Sequence, residues 1–117
     1  MYLVSACLLG VNCRYDGKNN FNQRLFAYFK EAELYPVCPE VMGGLYIPRE
    51  PCEIVETEEG YKVYDINGED KTNKFIEGAQ KTLQIADLLN IKKAIFMERS
   101  PSCGVHQIYD GNFNNKL

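Results

Sequence analysis

The stretch YLVSA at residues 2–6 decides the fold class, because it is a short apolar run without the spacing of an amphipathic helix. Such a run is typical of a strand buried on both faces, as in a parallel sheet. Two later segments predict further strands: ELYPVCPEVMGGL at 33–45, which two prolines and a glycine pair end, and IKKAIFMERS at 91–100.

The segments between these runs predict helices and hairpins. FNQRLFAYFKEA at 21–32 indicates an amphipathic helix, with an inward stripe of Leu25, Phe26, Phe29 and Ala32. A longer helix is expected over 69–90, with its inward face formed by Phe75, Ile76, Ala79, Leu83, Ala86 and Leu89. EIVETEEGYKVYD at 53–65 predicts a β-hairpin, and HQIYDGNFN at 106–114 predicts a small one.

Strand, helix, strand, hairpin, helix and strand in this order predict one α/β domain over residues 1–117. We expect a small, Rossmann-like, three-layer-type domain, with helices packed on a short parallel sheet and a β-hairpin insertion. No closing helix is predicted after the third strand, so that side of the sheet is expected to be open.

Composition and charge exclude several classes of protein. The net charge of the 117 residues is −3 and the basic residues are scattered, which argues against nucleic acid as a partner. No apolar run approaches the roughly 20 residues that span a bilayer. The start, MYLVSACLLG, lacks a basic leader and fits a first strand better than a signal peptide, so we expect a cytoplasmic protein.

The five cysteines of the chain give the strongest functional signal. An odd number without a secretory signal argues against a disulfide framework. Cys7 follows the first predicted strand, Cys38 the second and Cys103 the third. Because ligands gather where parallel strands have their carboxyl ends, we expect these three thiols to meet at one edge of the sheet.

Several roles for these thiols remain open from the residues alone. Free cysteines are often buried apolar fillers, and Cys52 fits a strand position. Cys13 is either a fourth ligand or a bystander. Three thiolates suit zinc with one open position, or an iron–sulfur cluster whose free iron acts as a Lewis acid. A redox thiol pair would need a C-x-x-C motif, which the sequence lacks.

Acidic and hydroxyl side chains stand next to two of these cysteines. Glu40 lies two residues after Cys38, and Ser100 and Ser102 precede Cys103. A carboxylate and a hydroxyl facing an open metal position can orient and deprotonate water, so these three residues are the catalytic candidates. The alternative for Glu40 is that it caps a backbone amide.

Two further segments carry weaker signals. Arg14 and Asp16, in CRYDG, either bind a polar substrate or fix the loop, since Asp–Gly is a common turn. His106 is the only histidine, and a surface or hairpin position is expected for it more than a ligand role.

Four motifs together resemble a bacterial family, first defined as a domain of unknown function, that includes the thiouracil desulfidases. They are VSACLLGVNCRYDG, YPVCPEVMGGL, PREPCEIV and ERSPSCG, and they span residues 4–104 in the family's order. Each motif alone is weakly specific, whereas the set is highly specific.

This resemblance implies an enzyme that removes sulfur from a thiolated pyrimidine such as thiouracil and releases hydrogen sulfide without net redox change. It also implies a [4Fe–4S] cluster ligated by Cys7, Cys38 and Cys103, with one open iron. The catalytic glutamate of the family matches Glu40, and its catalytic serine matches Ser100 before Ser102.

Members of this family usually continue beyond SPSCG with a Gly-rich turn, a helix and a final strand, which 117 residues do not accommodate. We therefore expect an open pocket, an inactive chain, or dependence on a partner copy in a homodimer. Two other functions remain alternatives: a zinc site with a hydrolytic or structural role, and a module that senses oxygen or metal through its cluster or thiols.

Overall fold

A computed structural model describes residues 1–97, Ser100 and Ser102 of the chain. The elements are β1 (Tyr2–Ser5), a 3₁₀ turn (Ala6–Leu9), α1 (Gln23–Tyr28), β2 (Leu34–Val37), α2 (Pro39–Met42), β3 (Cys52–Thr57), β4 (Gly60–Asp65), α3 (Thr72–Leu88) and β5 (Lys93–Ile95). Cys103, His106 and the predicted hairpin at 106–114 lie outside the described residues, and the prediction of one domain over 1–117 stays a prediction.

Three parallel strands form the central sheet in the order β2-β1-β5. Tyr2 of β1 lies opposite Leu34 of β2 on one side and Lys93 of β5 on the other. Val4, in the middle strand, is fully buried, as the apolar run at the start of the chain predicts. The predicted α/β class with a short parallel sheet is confirmed.

Strands β3 and β4 form a separate antiparallel hairpin, which confirms the predicted insertion. Its register pairs Cys52 with Asp65 and Thr57 with Gly60. Gly60 has a φ of +106°, which suits glycine at the tight turn between the strands.

The second strand contains Leu34, Tyr35 and Val37, as predicted, but Pro36 lies inside it, opposite Val4, and does not help to end it. Among the described strands β2 pairs with β1 alone, which makes it an edge strand there. An edge strand tolerates proline, because it lacks a second neighbour that would need the missing backbone N–H.

The predicted inward face of α3 is wrong in part. Ile76 and Leu83 are 50% and 62% exposed, whereas Phe75, Gly78 and Thr82 are buried. The buried face thus includes a glycine and a threonine, residues that a search for apolar periodicity does not select.

Close contact with α2 explains why α3 turns its small residues inward. A Cβ on Gly78 would overlap the carbonyl oxygen of Pro39, and a Cβ on Gly43 would overlap that of Lys74. The two backbones therefore touch through a reciprocal pair of glycines, which fixes α2 against α3.

Helix α1 is shorter than predicted, and its inward stripe is also wrong in part. Asn22 caps it by accepting a hydrogen bond from the Leu25 backbone N–H at 2.9 Å. Leu25 packs against the core, and the Phe29 ring lies edge-on to the Tyr2 ring with centroids 5.2 Å apart. Phe26, however, is 48% exposed.

No helix within the described part of the chain is both long enough and apolar enough to cross a membrane.

Candidate active site

The site is built where the strands of the parallel sheet end. Cys7 lies in the 3₁₀ turn that follows β1 directly. Cys38 follows β2 and is the residue before α2, whose first turn carries Glu40. Ser100 and Ser102 come after β5 in the chain. The carboxyl edge of the sheet therefore brings predicted ligands and predicted catalytic residues together.

Three of the described thiols meet at this edge. Cys7 and Cys13 are buried in one apolar cluster, and Cys38 packs against it. The Cys38 thiol donates a hydrogen bond to the backbone carbonyl oxygen of Cys13 at 3.7 Å. The Cys13 thiol in turn hydrogen-bonds with Cys7 and with Cys38. The sulfurs of Cys7 and Cys38, which are 31 residues apart in sequence, therefore lie in one group.

Hydrogen bonds to sulfur favour the thiolate form of two of these cysteines. The Cys13 thiol, and next the Asn20 amide at 3.8 Å, lower the pKa of Cys7 to about 7 despite its burial. The Cys13 thiol and the backbone N–H of Val41 lower the pKa of Cys38 to about 6. Because Cys13 donates to these sulfurs, its own pKa is raised, and it stays a thiol.

Cys52 lies apart from this group, in the cluster formed with Leu45, Val63 and Phe75. Burial raises its pKa to about 11, because a thiolate loses its hydration there. It is a strand residue, as its sequence context indicates.

These pKa differences predict which thiols react in the metal-free, reduced protein. Cys7 and Cys52 are equally exposed, at 8% each, so accessibility does not separate them. At pH 7 about half of Cys7 is thiolate but only a trace of Cys52. We expect iodoacetamide to modify Cys7 about 100-fold faster, after allowing for the greater intrinsic nucleophilicity of the less acidic thiolate.

Peptide mass spectrometry after timed alkylation measures both rates in one sample. The rate at Cys7 should level off above about pH 8, whereas that at Cys52 should still rise at about pH 10. Equal rates for these two matched thiols at neutral pH would contradict the assignment of Cys7 to a thiolate-stabilising pocket.

The Glu40 carboxylate is bound through both of its oxygens. Its Oε2 accepts hydrogen bonds from the Ser102 hydroxyl at 2.9 Å and from the Ser100 hydroxyl at 3.5 Å. The two serine hydroxyls are 3.1 Å apart. The three predicted catalytic residues thus form one hydrogen-bonded group, in which Ser102 makes the shorter contact with Glu40.

Sequence reasoning missed Arg49, which binds the other oxygen of this carboxylate. Its Nε lies 3.4 Å from Glu40 Oε1, and both side chains are largely buried. The PRE segment that contains Arg49 is part of a recognised motif, and that motif is the signal that pointed toward it.

Arg14 and Asp16 form an ion pair of 3.0 Å in the loop after Cys7, with 30% and 27% of their side chains exposed. Arg14 also donates to the side-chain oxygen of Asn20 at 2.8 Å, and Asn20 donates to the Cys7 sulfur. Asn20 is the second residue missed from the sequence, and it connects the ion pair to Cys7.

An open groove of about 330 Å³ extends away from the site between α3 and β5. One part of the groove is lined by Pro39, which precedes Glu40 in sequence, and by Ser102, which contacts Glu40. The apolar remainder is lined by Ala79, Leu83 and Phe96. The outward-turned part of α3 therefore borders a groove that reaches Ser102.

Within residues 1–97, Ser100 and Ser102, no group of three or more histidine, cysteine or acidic side chains is placed to hold a metal ion. The third predicted ligand, Cys103, lies outside these residues. The two predicted ligands that are described, Cys7 and Cys38, are neighbouring thiols with lowered pKa values. This donor chemistry suits a thiolate-bound iron–sulfur or zinc centre better than a hard cation.

The fold and the site together define a class of protein. It is a small α/β domain that carries, at the carboxyl edge of its sheet, two neighbouring thiols and a carboxylate hydrogen-bonded to serines. Comparison with known families identifies the family to which the chain belongs. The model of the 2-thiouracil desulfurase family matches residues 2–117, and the chain belongs to this family.

The chain is also similar to two individual proteins. A Bacillus subtilis (strain 168) protein, the uncharacterized protein YbbK, is 41% identical over 122 residues, which cover 99% of this chain and 81% of that protein. The solved structure of TudS, a [4Fe-4S]-dependent thiouracil desulfidase, is 40% identical with a TM-score of 0.86. That match covers 97% of this chain and 74% of the TudS chain.

Proposed function

We propose that this chain is a non-redox desulfidase that converts a thiolated pyrimidine, such as thiouracil, and water into the oxygen analogue and hydrogen sulfide. Family membership supports the reaction class. The observation that carries the proposal is the hydrogen bond of 2.9 Å from Ser102 to Glu40. It lies at the edge of the sheet where Cys7 and Cys38 meet.

Cys7, Cys38 and Cys103 are the residues that would hold a [4Fe–4S] cluster, the cofactor named for TudS. When bound by three thiolates, such a cluster supplies an iron without a protein ligand, which accepts the soft sulfur of a thiocarbonyl and polarises its bond to the ring carbon. Cys13 contacts both of the described ligands, and whether it is a fourth ligand or a neighbour of the ligand set stays a prediction.

Glu40 has the geometry of a general base. Its Oε2 lies among the two serine hydroxyls, which would orient a water molecule toward the ring carbon while Glu40 takes a proton from it. Attack by this water forms the carbon–oxygen bond, and the carbon–sulfur bond then breaks. Glu40 returns this first proton to the departing sulfur and then carries over the second, which the new hydroxyl loses as the carbon–oxygen double bond forms. The sulfur therefore leaves as hydrogen sulfide, and no electron acceptor is needed.

The apolar groove beside Pro39 offers a surface for the flat ring of the substrate. We propose that Arg14 and Asp16 contact the polar edge of this ring, since both remain partly exposed near Asn20 and Cys7. The homodimer and the cytoplasmic location stay predictions.

Anaerobic reconstitution followed by a sulfide-release assay on a panel of thiopyrimidines tests this function. We expect about four iron atoms and about four acid-labile sulfides per chain, together with sulfide release from at least one panel member. About one zinc per chain would instead favour the zinc alternative. A loaded protein that releases no sulfide, and whose affinity for a partner follows cluster state, would favour the sensing module.

Replacing each serine separately tests which hydroxyl, that of Ser100 or that of Ser102, orients the attacking water beside Glu40. We expect Ser102→Ala to lower kcat about 10- to 100-fold, and at least as much as Ser100→Ala, because Ser102 makes the shorter bond to Glu40. Steady-state kinetics of both variants, at matched iron content, measures the difference. A Ser100→Ala variant that alone loses activity would assign the role to Ser100, the first choice from the sequence.

A further inference from the structure

Arg49 joins the loop after Cys7 to the segment that contains Glu40. Its Nε donates to Glu40, its Nη1 to the Tyr46 carbonyl oxygen at 3.1 Å and its Nη2 to the Cys13 carbonyl oxygen at 3.0 Å. The backbone N–H of Arg49 donates to the Tyr15 carbonyl oxygen at 2.8 Å. All three guanidinium nitrogens therefore have partners.

Burial makes this arrangement rigid. Only 8% of the Arg49 side chain and 13% of the Glu40 side chain are exposed. A planar guanidinium fixed at three nitrogens can rotate little, so it holds the carboxylate oxygen that it binds in one place.

The two oxygens of Glu40 consequently have different partners. Oε1 is bound by Arg49, and Oε2 accepts from Ser102 and Ser100. With Oε1 fixed, the carboxylate cannot turn Oε2 away from the two hydroxyls without breaking the ion pair.

We propose that Arg49 is a positioning residue for catalysis, which orients Glu40 so that Oε2 faces Ser100 and Ser102. The proposal rests on the proposed function, in which Oε2 is the base. In this proposal Arg49 acts through Glu40 and contacts neither substrate nor cluster.

The Arg49→Lys variant tests this role, because lysine keeps the charge but lacks the fork that reaches Glu40, Tyr46 and Cys13 together. We expect kcat to fall about 100-fold, as for a small misplacement of a catalytic group. KM should stay within about threefold, because the variant removes no contact that binds the substrate in its ground state. Iron content should be unchanged. Arg24→Lys, on the exposed side of α1, is the matched control and should behave as wild type.

Chemical rescue separates orientation from a general structural role. In Arg49→Ala, added methylguanidinium should raise kcat at least about fivefold, because the cation can again bind Oε1 in the vacated space. The same addition should leave wild type and Arg24→Lys unchanged.

A double-mutant cycle tests the contact without any enzyme assay. Urea unfolding of the metal-free protein is compared for Arg49→Lys, Glu40→Gln and the double variant. We expect the effects on the unfolding equilibrium constant to depart from additivity by about fivefold or more, as for residues in direct contact.

The outcomes for the two proposals are distinguishable. A wild-type holoenzyme that releases no sulfide from any panel member overturns the proposed function, but the cycle still reports on Arg49 and Glu40. Additive effects in the cycle, or an Arg49→Lys variant with wild-type kcat, overturn the positioning role. Loss of activity that only parallels loss of iron overturns it as well, because Arg49 would then support the fold alone.

Discussion

Sulfide release should be abolished by Glu40→Gln, while the visible absorbance of the reconstituted cluster survives. The amide that replaces the carboxylate keeps its shape, but it has a single acceptor oxygen for Arg49 and Ser102 and it cannot accept a proton from water at neutral pH. We expect kcat to fall by about 10³-fold or more, at the upper part of the range for a lost general base.

Steady-state sulfide assays at equal iron content per chain measure this effect. Glu77→Gln, an exposed change on α3 beside Lys81, is the matched control and should retain wild-type kcat. Full activity of Glu40→Gln would remove Glu40 from the mechanism. Loss of the cluster in this variant would instead make Glu40 a determinant of cofactor binding.

The second large effect is expected at the contact between α2 and α3. On helix propensity alone, Gly78→Ala should stabilise the protein, because alanine is favoured over glycine in a helix by about 1 kcal/mol. The added Cβ, however, would overlap the Pro39 carbonyl oxygen, and that backbone atom cannot rotate away. We expect the overlap to prevail and to lower the free energy of unfolding by about 2 kcal/mol or more.

Urea unfolding of the metal-free protein measures the sign directly. Gln80→Ala, at an exposed position of the same helix, is the control and should change stability by less than about 0.5 kcal/mol. Because Pro39 lies between Cys38 and Glu40, Gly78→Ala should also reduce iron retention. A stabilised Gly78→Ala variant with full iron content would contradict the close backbone contact.

The parts of the fold that the sequence predicts well are the local ones. The apolar run around Val4, the alternation in the hairpin and the long helix are each visible within one segment, since strand and helix periods are properties of neighbouring residues. The exposed positions of Ile76 and Leu83 were not predictable in this way. They depend on the contact between Pro39 of α2 and Gly78, which are far apart in sequence.

The candidate site shows the same division. The motifs around Cys7, Cys38 and Glu40 can be read from the chain because cysteine, proline and acidic residues are clustered in short loops. Arg49 lies in a recognised motif, but nothing in that motif indicates its partner, and Asn20 lies outside the four motifs. Their importance depends on hydrogen bonds to Glu40 and to the Cys7 sulfur, which exist only after the loops have packed together.

The sequence by itself determined the fold class, the positions of the reactive residues after the strands and the family to which they belong, because local pattern and motif order encode these properties. Only the tertiary structure decided which groups surround each reactive atom. It set a thiol and an amide beside Cys7, two hydroxyls beside Glu40 Oε2 and a guanidinium beside Oε1. Those environments arise from packing between distant segments, and they govern the charge and orientation on which the chemistry depends.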